Sequence, residues 1–505
     1  MADPILDSSG TPVTPKGSVY KHMLRGSLWA VGQNFSIRFI GLFNTIILAR
    51  LLAPDDFGLI TMATMVIGFI NSFVDLGNGA LLMRQPQATR DHCDTAWTFS
   101  FLRGIFVAIF LAALSPWVAD YFRDQRVIAI TLILAVNSLL ANSFSIGLIL
   151  LRKELHFATE FYFNLASRLV VLVVTLGLAF WLRSYWAIVA GALVGNVFGL
   201  VLSFKIHPYR ARFSLAKASE YLNFSLVMIP LNIAYYFTAR VDTFVVGRMG
   251  SAAVLGVYNI AAELATMLTI DLVQQISRGL YPNFVKLLDD RPKLIEAYLG
   301  AISALATVSI AFGLGLWAVS DDFVKVVMGD KWLDAIPLLQ WLAIGGTLRG
   351  IDHCLAATIL TVAGHERVLA VLMWIRLTIY TLGTVVGGLW NGQMGVAIGI
   401  AAASALLIPI VIFFLMRCFN LHVSDFVRAL WRPVPAGLAM IAAVQLLHPG
   451  SLSIPMLRLV IDTAIGGLAF VLTLLSLWYV SGRPAGIENR VFETVLSKLK
   501  SVRKY

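Results

Sequence analysis

Long apolar runs separated by short polar breaks recur along the whole chain. Each run has about 20 residues or more, which is long enough to cross a hydrocarbon core of about 30 Å as an α-helix. The weakest breaks are the tight hairpin at Arg183 and Ser184 and the short thirteenth run, so a total of twelve or thirteen spans stays open. The pattern predicts fourteen spans, near 26–51, 57–83, 95–119, 127–151, 161–182, 185–206, 221–248, 254–280, 295–319, 336–362, 368–390, 394–416, 430–448 and 456–480.

Composition places this chain in a membrane. Of its 505 residues, 58% are hydrophobic and 13% are charged, and the mean hydropathy is +0.81. A soluble domain carries about 25% charged residues. The three cysteines are scattered along the chain, so we expect neither a disulfide framework nor a metal site. We therefore predict an all-α polytopic membrane protein.

The distribution of positive charge predicts the topology. With fourteen spans, more than half of the 39 Lys and Arg residues fall in loops and tails on one face. Because cytoplasmic loops are enriched in these residues, both termini are expected in the cytoplasm. The net charge of +11 then reflects topology and not a nucleic-acid partner. Residues 1–20 are expected to form a disordered cytoplasmic tail and not a signal peptide.

A short polar turn interrupts the first two apolar runs in "LARLLAPDDFGLITMAT", residues 48–64. Pro54 suits the first turn of a helix, and Asp55 and Asp56 suit its positive N-terminal end. Gly58 would allow a neighbouring span to approach closely. We expect a turn at the outer face, with no direct role in binding substrate.

The same segment returns later in the chain. An offset of 198 residues aligns it with "FVVGRMGSAAVLGVYNIA", residues 244–261, and pairs Arg50 with Arg248 and Gly58 with Gly256. Extended backward, the offset also pairs two asparagines, Asn34 and Asn232. Chance explains matching apolar residues more easily than matching polar ones. Since six spans separate the copies, we predict two parallel-repeat six-helix lobes around a central cleft, plus two C-terminal helices.

This repeat predicts the organisation of the chain. The expected parts are an N-terminal tail at 1–20, an N-lobe at 21–206, a cytoplasmic linker at 207–220, a C-lobe at 221–416, two further spans at 417–482 and a basic C-terminal tail at 483–505. The tail places Val and Leu on one face and Lys and Arg around it. It therefore suits either a helix lying on anionic lipid or a solvated segment.

Several arginines are predicted to lie inside the spans. Each costs about 2.5 to 3.5 kcal/mol at mid-span, so they should face water, pair with acids or reach the surface. A cleft lined by guanidinium groups would favour an anion with several oxygens, since guanidinium binds phosphate in a bidentate manner. The predicted cavity residues that bind a substrate diphosphate are Arg38, Arg240, Arg103, Arg168 and Arg376.

Two of the intramembrane charge pairs are close in sequence. Arg240 and Asp242 are two residues apart, so they should point in different directions on a helix. Arg349 and Asp352 are spaced for a local salt bridge.

Other acids inside the spans suit ion coupling. Asp75, Glu263 and Asp271 are the candidate proton or sodium sites, although membrane potential alone is sufficient to drive transport of an anion. No cofactor is expected.

These segments together resemble a known family. The "ILARLLAPDDFGL" turn, the "FVDLGNGALLMRQ" end of the second span and the "VDTFVVGRMGSAAVLGVYN" echo are similar to those of Wzx-type oligosaccharide flippases. That group is the polysaccharide-transporter branch of the multidrug/oligosaccharidyl-lipid/polysaccharide superfamily, and the similarity is greatest to exporters of colanic-acid type. The resemblance implies a bacterial inner-membrane protein that moves an undecaprenyl-diphosphate-linked repeat unit to the periplasmic leaflet for exopolysaccharide or O-antigen assembly. It also implies membrane lipids and polysaccharide polymerase or export proteins as partners.

Two other functions stay open. A multidrug antiporter of the same superfamily would carry cations and would want an acid-lined cleft. A membrane polymerase, ligase or glycosyltransferase using the same lipid donor would need a large outer loop with catalytic residues, whereas the longest predicted outer loop is 320–335. The sequence shows no nucleophile and base pair and no phosphate-binding glycine loop, so we expect a transporter and not an enzyme.

Overall fold

The computed structural model describes residues 16–74, 77–85, 88–154, 156–447 and 454–482. Within these ranges the chain is helical and has no strand. The helices are α1 (Lys16–Leu51), α2 (Pro54–Val74), α3 (Asn78–Arg84), α4 (Arg90–Phe122), α5 (Arg126–Asn142), α6 (Gly147–Lys153), α7 (Phe157–Leu182), α8 (Trp186–Ile206), α9 (Ala218–Met249), α10 (Ala252–Thr266), α11 (Leu272–Lys286), α12 (Arg291–Phe323), α13 (Ala335–Val362), α14 (Glu366–Phe419), α15 (Val423–Leu430), α16 (Pro433–Leu447) and α17 (Pro455–Val480).

Nine helical stretches of the described ranges are long and apolar enough to cross a membrane, or ten if the bent pair α5 and α6 forms one span. The longest helix, α14, has 54 residues and is interrupted at Asn391 and Gly392, where the backbone leaves the helical region. This break lies between the predicted spans 368–390 and 394–416. The polytopic all-α fold is confirmed, and the total of fourteen spans stays a prediction.

Helix boundaries follow local chemistry. The predicted turn between the first two spans is confirmed, because α1 ends at Leu51 and α2 begins at Pro54 with both acids in its first turn. The Asp56 carboxylate accepts a hydrogen bond of 2.9 Å from the Ala53 backbone N–H. The hairpin between α7 and α8 is also confirmed, with Arg183 in the left-handed region at φ 47°.

The predicted boundary of the second span is wrong. The sequence predicted a single span at 57–83, but α2 ends at Val74, and a separate short helix, α3, follows. Gly77 precedes α3 with φ 63°, a left-handed conformation that glycine adopts without steric cost. Apolar residues resume in "ALLM" at 80–83, directly after this turn, so hydropathy averaged over a long window does not mark the end of α2.

The described residues divide into two compact units. The first comprises Met1–Leu51, Ile70–Trp117 and Ile128–Pro230, and the second comprises Leu52–Phe69, Val118–Val127 and Leu231–Tyr505. In the second unit, a core of buried side chains such as Tyr298, Leu360 and Phe426 joins α12, α13 and α15. In the first unit, a smaller cluster containing Leu82 and Tyr221 joins α3 to the start of α9. The predicted division into lobes and tails stays a prediction, and both tails lie largely outside the described residues.

Candidate functional site

Two equivalent glycines bring α2 and α10 into backbone contact within the second unit. A Cβ atom on Gly58 would lie 1.7 Å from the carbonyl oxygen of Ala252, and a Cβ atom on Gly256 would lie 1.9 Å from the carbonyl oxygen of Pro54. The offset of 198 relates Gly58 to Gly256 and Pro54 to Ala252. The two contacts are therefore the same contact made in both directions, as expected where a twofold axis relates two parallel repeats.

A polar cavity of about 210 Å³ lies beside this crossing, also within the second unit. Its lining residues come from α2, α9 and α10 and are Thr61, Thr64, Met65, Gly68, Tyr236, Arg240, Thr243 and Asn259. Thr61 and Asn259 are equivalent under the same offset, so the cavity is lined by both repeats.

Tyr236 holds α9 against α2 at this cavity. Its hydroxyl donates a hydrogen bond to the Met65 carbonyl oxygen, and its ring occupies the space where a Cβ atom of Gly68 would lie, 2.6 Å away. An aromatic cluster continues behind it, with the Phe69 and Phe237 ring centroids 5.5 Å apart. The wall of the cavity is thereby fixed by packing and by the hydrogen bond from Tyr236 to Met65.

The cavity is lined by groups that suit an oxygen-rich ligand. The hydroxyls of Thr61 and Thr64 donate to carbonyl oxygens one turn earlier in α2, at 2.8 Å each. Their remaining lone pairs can accept hydrogen bonds from a ligand hydroxyl. The Asn259 amide can donate and accept, and the Arg240 guanidinium supplies the positive charge. This set can bind both hydroxyl groups and an anion.

Arg240 faces the cavity, whereas Asp242 faces the protein interior. Arg240 is exposed and lines the cavity. Asp242 is buried and accepts a hydrogen bond of 2.9 Å from the Tyr258 hydroxyl. The prediction that these two charges point in different directions is confirmed.

Glu263 lies in the electrostatic field of Arg240. It is an exposed residue of α10, and its carboxylate interacts electrostatically with Arg240 and with Asp271. Asp271 ends the π-helical turn Met267–Asp271, which connects α10 to α11. Of the three predicted coupling acids, Glu263 is therefore close enough to interact with both Arg240 and Asp271. Asp75 lies outside the described residues.

The predicted local salt bridge on α13 is wrong. Asp352 instead pairs with Arg376 of α14, at 2.9 Å, and both side chains are largely buried. Arg349 lies over the Tyr380 ring, 4.6 Å from its centroid, and donates a hydrogen bond of 3.0 Å to the Thr238 carbonyl oxygen. Contacts between helices thus replace the pairing that sequence spacing suggested, because α14 offers Asp352 a buried partner and Tyr380 attracts Arg349.

Three of the predicted cavity arginines lie in the first unit. Arg103 donates a hydrogen bond of 2.9 Å from its Nε atom to the Asn142 side-chain oxygen. Arg168 is exposed on α7, and Arg38 is half-buried on α1. Of the five predicted arginines, only Arg240 lines the polar cavity of the second unit.

Sequence reasoning missed the uncharged lining of this cavity. Thr61, Tyr236 and Asn259 carry no charge, so none of them stands out individually in an apolar chain. Comparison of the two repeats would have identified them, since the offset of 198 pairs Thr61 with Asn259 and Arg38 with Tyr236. Polar residues that recur at equivalent positions of two repeats indicate the residues near the repeat axis.

A sequence profile described as "Polysaccharide biosynthesis protein" matches residues 47–337, more than half of the chain. The chain belongs to this family. WzxC of Escherichia coli (strain K12), a lipopolysaccharide biosynthesis protein, is 25% identical over 453 residues, which cover 89% of this chain and 88% of WzxC. The predicted resemblance to Wzx-type proteins is confirmed.

Two solved transporter structures share the fold of this family member. The lipid II flippase MurJ, in an inward closed conformation, matches with a TM-score of 0.70 and 14% identity over 90% of this chain and 100% of MurJ. An inward-facing multidrug resistance MATE family transporter of the MOP superfamily matches with a TM-score of 0.58 and 15% identity over 76% of this chain and 94% of that chain. At these identities the matches show the fold alone. The chain is a multi-pass membrane protein with a fold that transporters use.

Proposed function

We propose that this family member flips a lipid-linked oligosaccharide repeat unit, carried on undecaprenyl diphosphate, from the cytoplasmic to the periplasmic leaflet by alternating access. Membership of the polysaccharide biosynthesis family supports a saccharide substrate. The relative WzxC acts in lipopolysaccharide biosynthesis, and the fold is shared with a flippase of another lipid-linked precursor. No chemical step is part of this proposal.

The observation that carries the proposal is the position of Arg240. Its guanidinium lies at a cavity whose other polar groups are threonine hydroxyls, a phenol and an amide. A lipid-linked saccharide offers phosphate oxygens and sugar hydroxyls, which are the partners that these groups bind. A cationic drug would instead favour a carboxylate in the lining, and none is present among these residues.

Arg38 is the second arginine that we assign to substrate. Under the offset of 198 it takes the position of Tyr236, which lines the cavity. Arg103 and Arg376 have protein partners in Asn142 and Asp352, so they are weaker candidates for direct contact with a diphosphate. Arg168, exposed on α7, stays a proposal from the sequence alone.

Membrane potential suffices as a driving force for this substrate. Moving a net charge of about −2 outward across 100 mV, negative inside, is favourable by about 4.6 kcal/mol. An empty cationic cavity would be pulled back toward the inside. We place both termini in the cytoplasm and the chain in a bacterial inner membrane, with a polysaccharide polymerase or export system receiving the product.

A deletion strain tests the function directly. We expect loss of the surface polymer and accumulation of the lipid-linked repeat unit in the cytoplasmic leaflet, with recovery on complementation by the intact chain. An Arg240→Gln variant should express normally and fail to restore export. The matched control is Arg367→Gln, which removes an exposed arginine at the start of α14.

The same strains test the alternative of a multidrug antiporter. Altered drug susceptibility with normal polymer export would support that alternative and contradict the flippase. Accumulation of the repeat unit on the periplasmic side, without polymer, would instead indicate a polymerase or ligase.

A further inference from the structure

We propose that residues 207–217, the extended segment between α8 and α9, form a binding surface for anionic phospholipid headgroups. We call this segment the strap. The proposal rests on the topology given above, which places the strap at the cytoplasmic face. It does not depend on which substrate the protein moves.

Hydrogen bonds fix the strap along α4. The Tyr209 hydroxyl donates to the Asp94 carboxylate, and the Arg212 backbone N–H donates to the same carboxylate at 3.3 Å. Further along, the Ser214 backbone N–H donates to the Thr98 hydroxyl at 3.1 Å. The strap is therefore an ordered part of the first unit, and its backbone runs beside α4 over more than one helical turn.

This attachment leaves two apolar side chains of the strap exposed. Phe213 is 68% exposed and Leu215 is 57% exposed. The Phe213 ring centroid lies 5.3 Å from that of Trp97 and 5.7 Å from that of Phe101, both on α4. Phe213 thus extends an aromatic patch on α4 and is not covered by the protein.

The predicted depth of Phe101 in the membrane indicates that lipid covers this patch. Phe101 lies six residues beyond the start of the predicted span at 95, which corresponds to about 9 Å along the helix. On the same helix, Phe106 is 50% exposed and Trp117 is 67% exposed, as expected for a surface that faces lipid. Aromatic residues at the interface of a membrane commonly act as anchors. We therefore place Phe213 between the acyl chains and the headgroups.

The charge of the strap selects the headgroup. The strap contains Arg210, Arg212 and Lys217 and no acidic residue. Arg210 and Arg212 are exposed, and the Arg210 guanidinium donates only to backbone carbonyl oxygens of the strap, those of His207 and Tyr209, among the described residues. Lys217 is paired with Glu220 at 3.2 Å, so the two arginines supply the net positive charge. Basic residues beside an inserted aromatic residue attract anionic lipid.

Native mass spectrometry of the full-length protein, released from bilayers of phosphatidylcholine and phosphatidylglycerol, tests this binding surface. The Arg210→Gln/Arg212→Gln variant should retain several-fold less phosphatidylglycerol than the unaltered chain. The matched control is Arg367→Gln/Arg428→Gln, which removes two exposed arginines that are also predicted on the cytoplasmic face. The control should retain phosphatidylglycerol normally.

A second variant tests the insertion of the aromatic ring. A spin label at Ala216→Cys, in a chain whose native cysteines are replaced, should show membrane-interface accessibility that shifts toward water when Phe213→Ser is added. Equal loss of phosphatidylglycerol in the strap variant and in its control would overturn the proposal, as would displacement of phosphatidylglycerol by inorganic phosphate. Unchanged accessibility of the spin label in the Phe213→Ser variant would also overturn it. Polymer export is not the readout, so failure of the flippase proposal would leave these results interpretable.

Discussion

Gly58 and Gly256 make reciprocal contacts that obey a single sequence offset. Gly58 lies against the backbone of Ala252, and Gly256 lies against the backbone of Pro54. Neither position leaves room for a Cβ atom. The offset of 198, found in the sequence, is thereby visible as a spatial relationship between α2 and α10. Thr61 and Asn259, which both line the polar cavity, are related by the same offset.

Substitution of either glycine should therefore destabilise the protein. We expect Gly58→Ala to lower the free energy of unfolding by about 1–3 kcal/mol, because the two helix backbones must move apart. Gly177→Ala is the control, since a Cβ atom there meets nothing within 4 Å. Thermal unfolding of the purified variants in one detergent measures the difference. Equal stability of Gly58→Ala and Gly177→Ala would show that the close contact does not exist in solution.

The ion pairs at the starts of α2 and α5 should make the stability of the protein depend on pH. Arg126 pairs with Asp55 at 2.6 Å and with Asp124 at 2.7 Å, and it holds the pKa of Asp124 below its ordinary value, chiefly by hydrogen bonding. A lowered pKa in the folded state stabilises the protein above the ordinary Asp value of about 3.9, and this contribution is lost as the pH falls through the lowered pKa. We expect Arg126→Gln to lower the melting temperature at neutral pH but not at a pH below that range. Arg123→Gln, at an exposed position in the same loop, should leave the melting temperature unchanged at both pH values. A difference that persists unchanged in acid would contradict this assignment.

The ion pair of Asp352 and Arg376 should contribute to stability. Both side chains are largely buried, so removing one partner leaves the other charge uncompensated and should cost about 3–5 kcal/mol. The double variant Asp352→Asn/Arg376→Gln should cost less than the sum of the single variants. Denaturant titration of all three, beside the exposed control Arg417→Gln, measures the coupling. Strict additivity would mean that the pair does not interact.

Transport should respond to voltage even without the carboxylate near the cavity arginine. In proteoliposomes with an imposed potassium diffusion potential, we expect outward movement of the lipid-linked anion to accelerate when the inside is negative. Because the field acts on the substrate's own charge, Glu263→Gln should keep this response. Loss of the response in Glu263→Gln alone would instead assign ion coupling to that carboxylate.

The sequence predicted most of the helices and the turn at Pro54, because hydropathy and helix-end chemistry are local properties. It predicted the repeat because polar residues recur at a fixed offset of 198. It also predicted that Arg240 and Asp242 diverge, since their spacing on a helix sets their directions. It did not predict the pairing of Asp352 with Arg376, which depends on how α13 packs against α14. Tyr236 and Asn259 were missed for a different reason, because uncharged polar residues do not stand out in an apolar chain until the two repeats are compared position by position.

The role of Arg240 is tested most directly by binding of undecaprenyl diphosphate to the purified protein. We expect Arg240→Gln to weaken binding at least tenfold, Arg240→Lys to weaken it less, and the control Arg367→Gln to leave it unchanged. Undecaprenyl monophosphate should bind more weakly than the diphosphate to the unaltered chain, and the Arg240→Gln variant should lose most of this preference. Unchanged affinity and unchanged preference in Arg240→Gln, with the fold intact, would contradict the account.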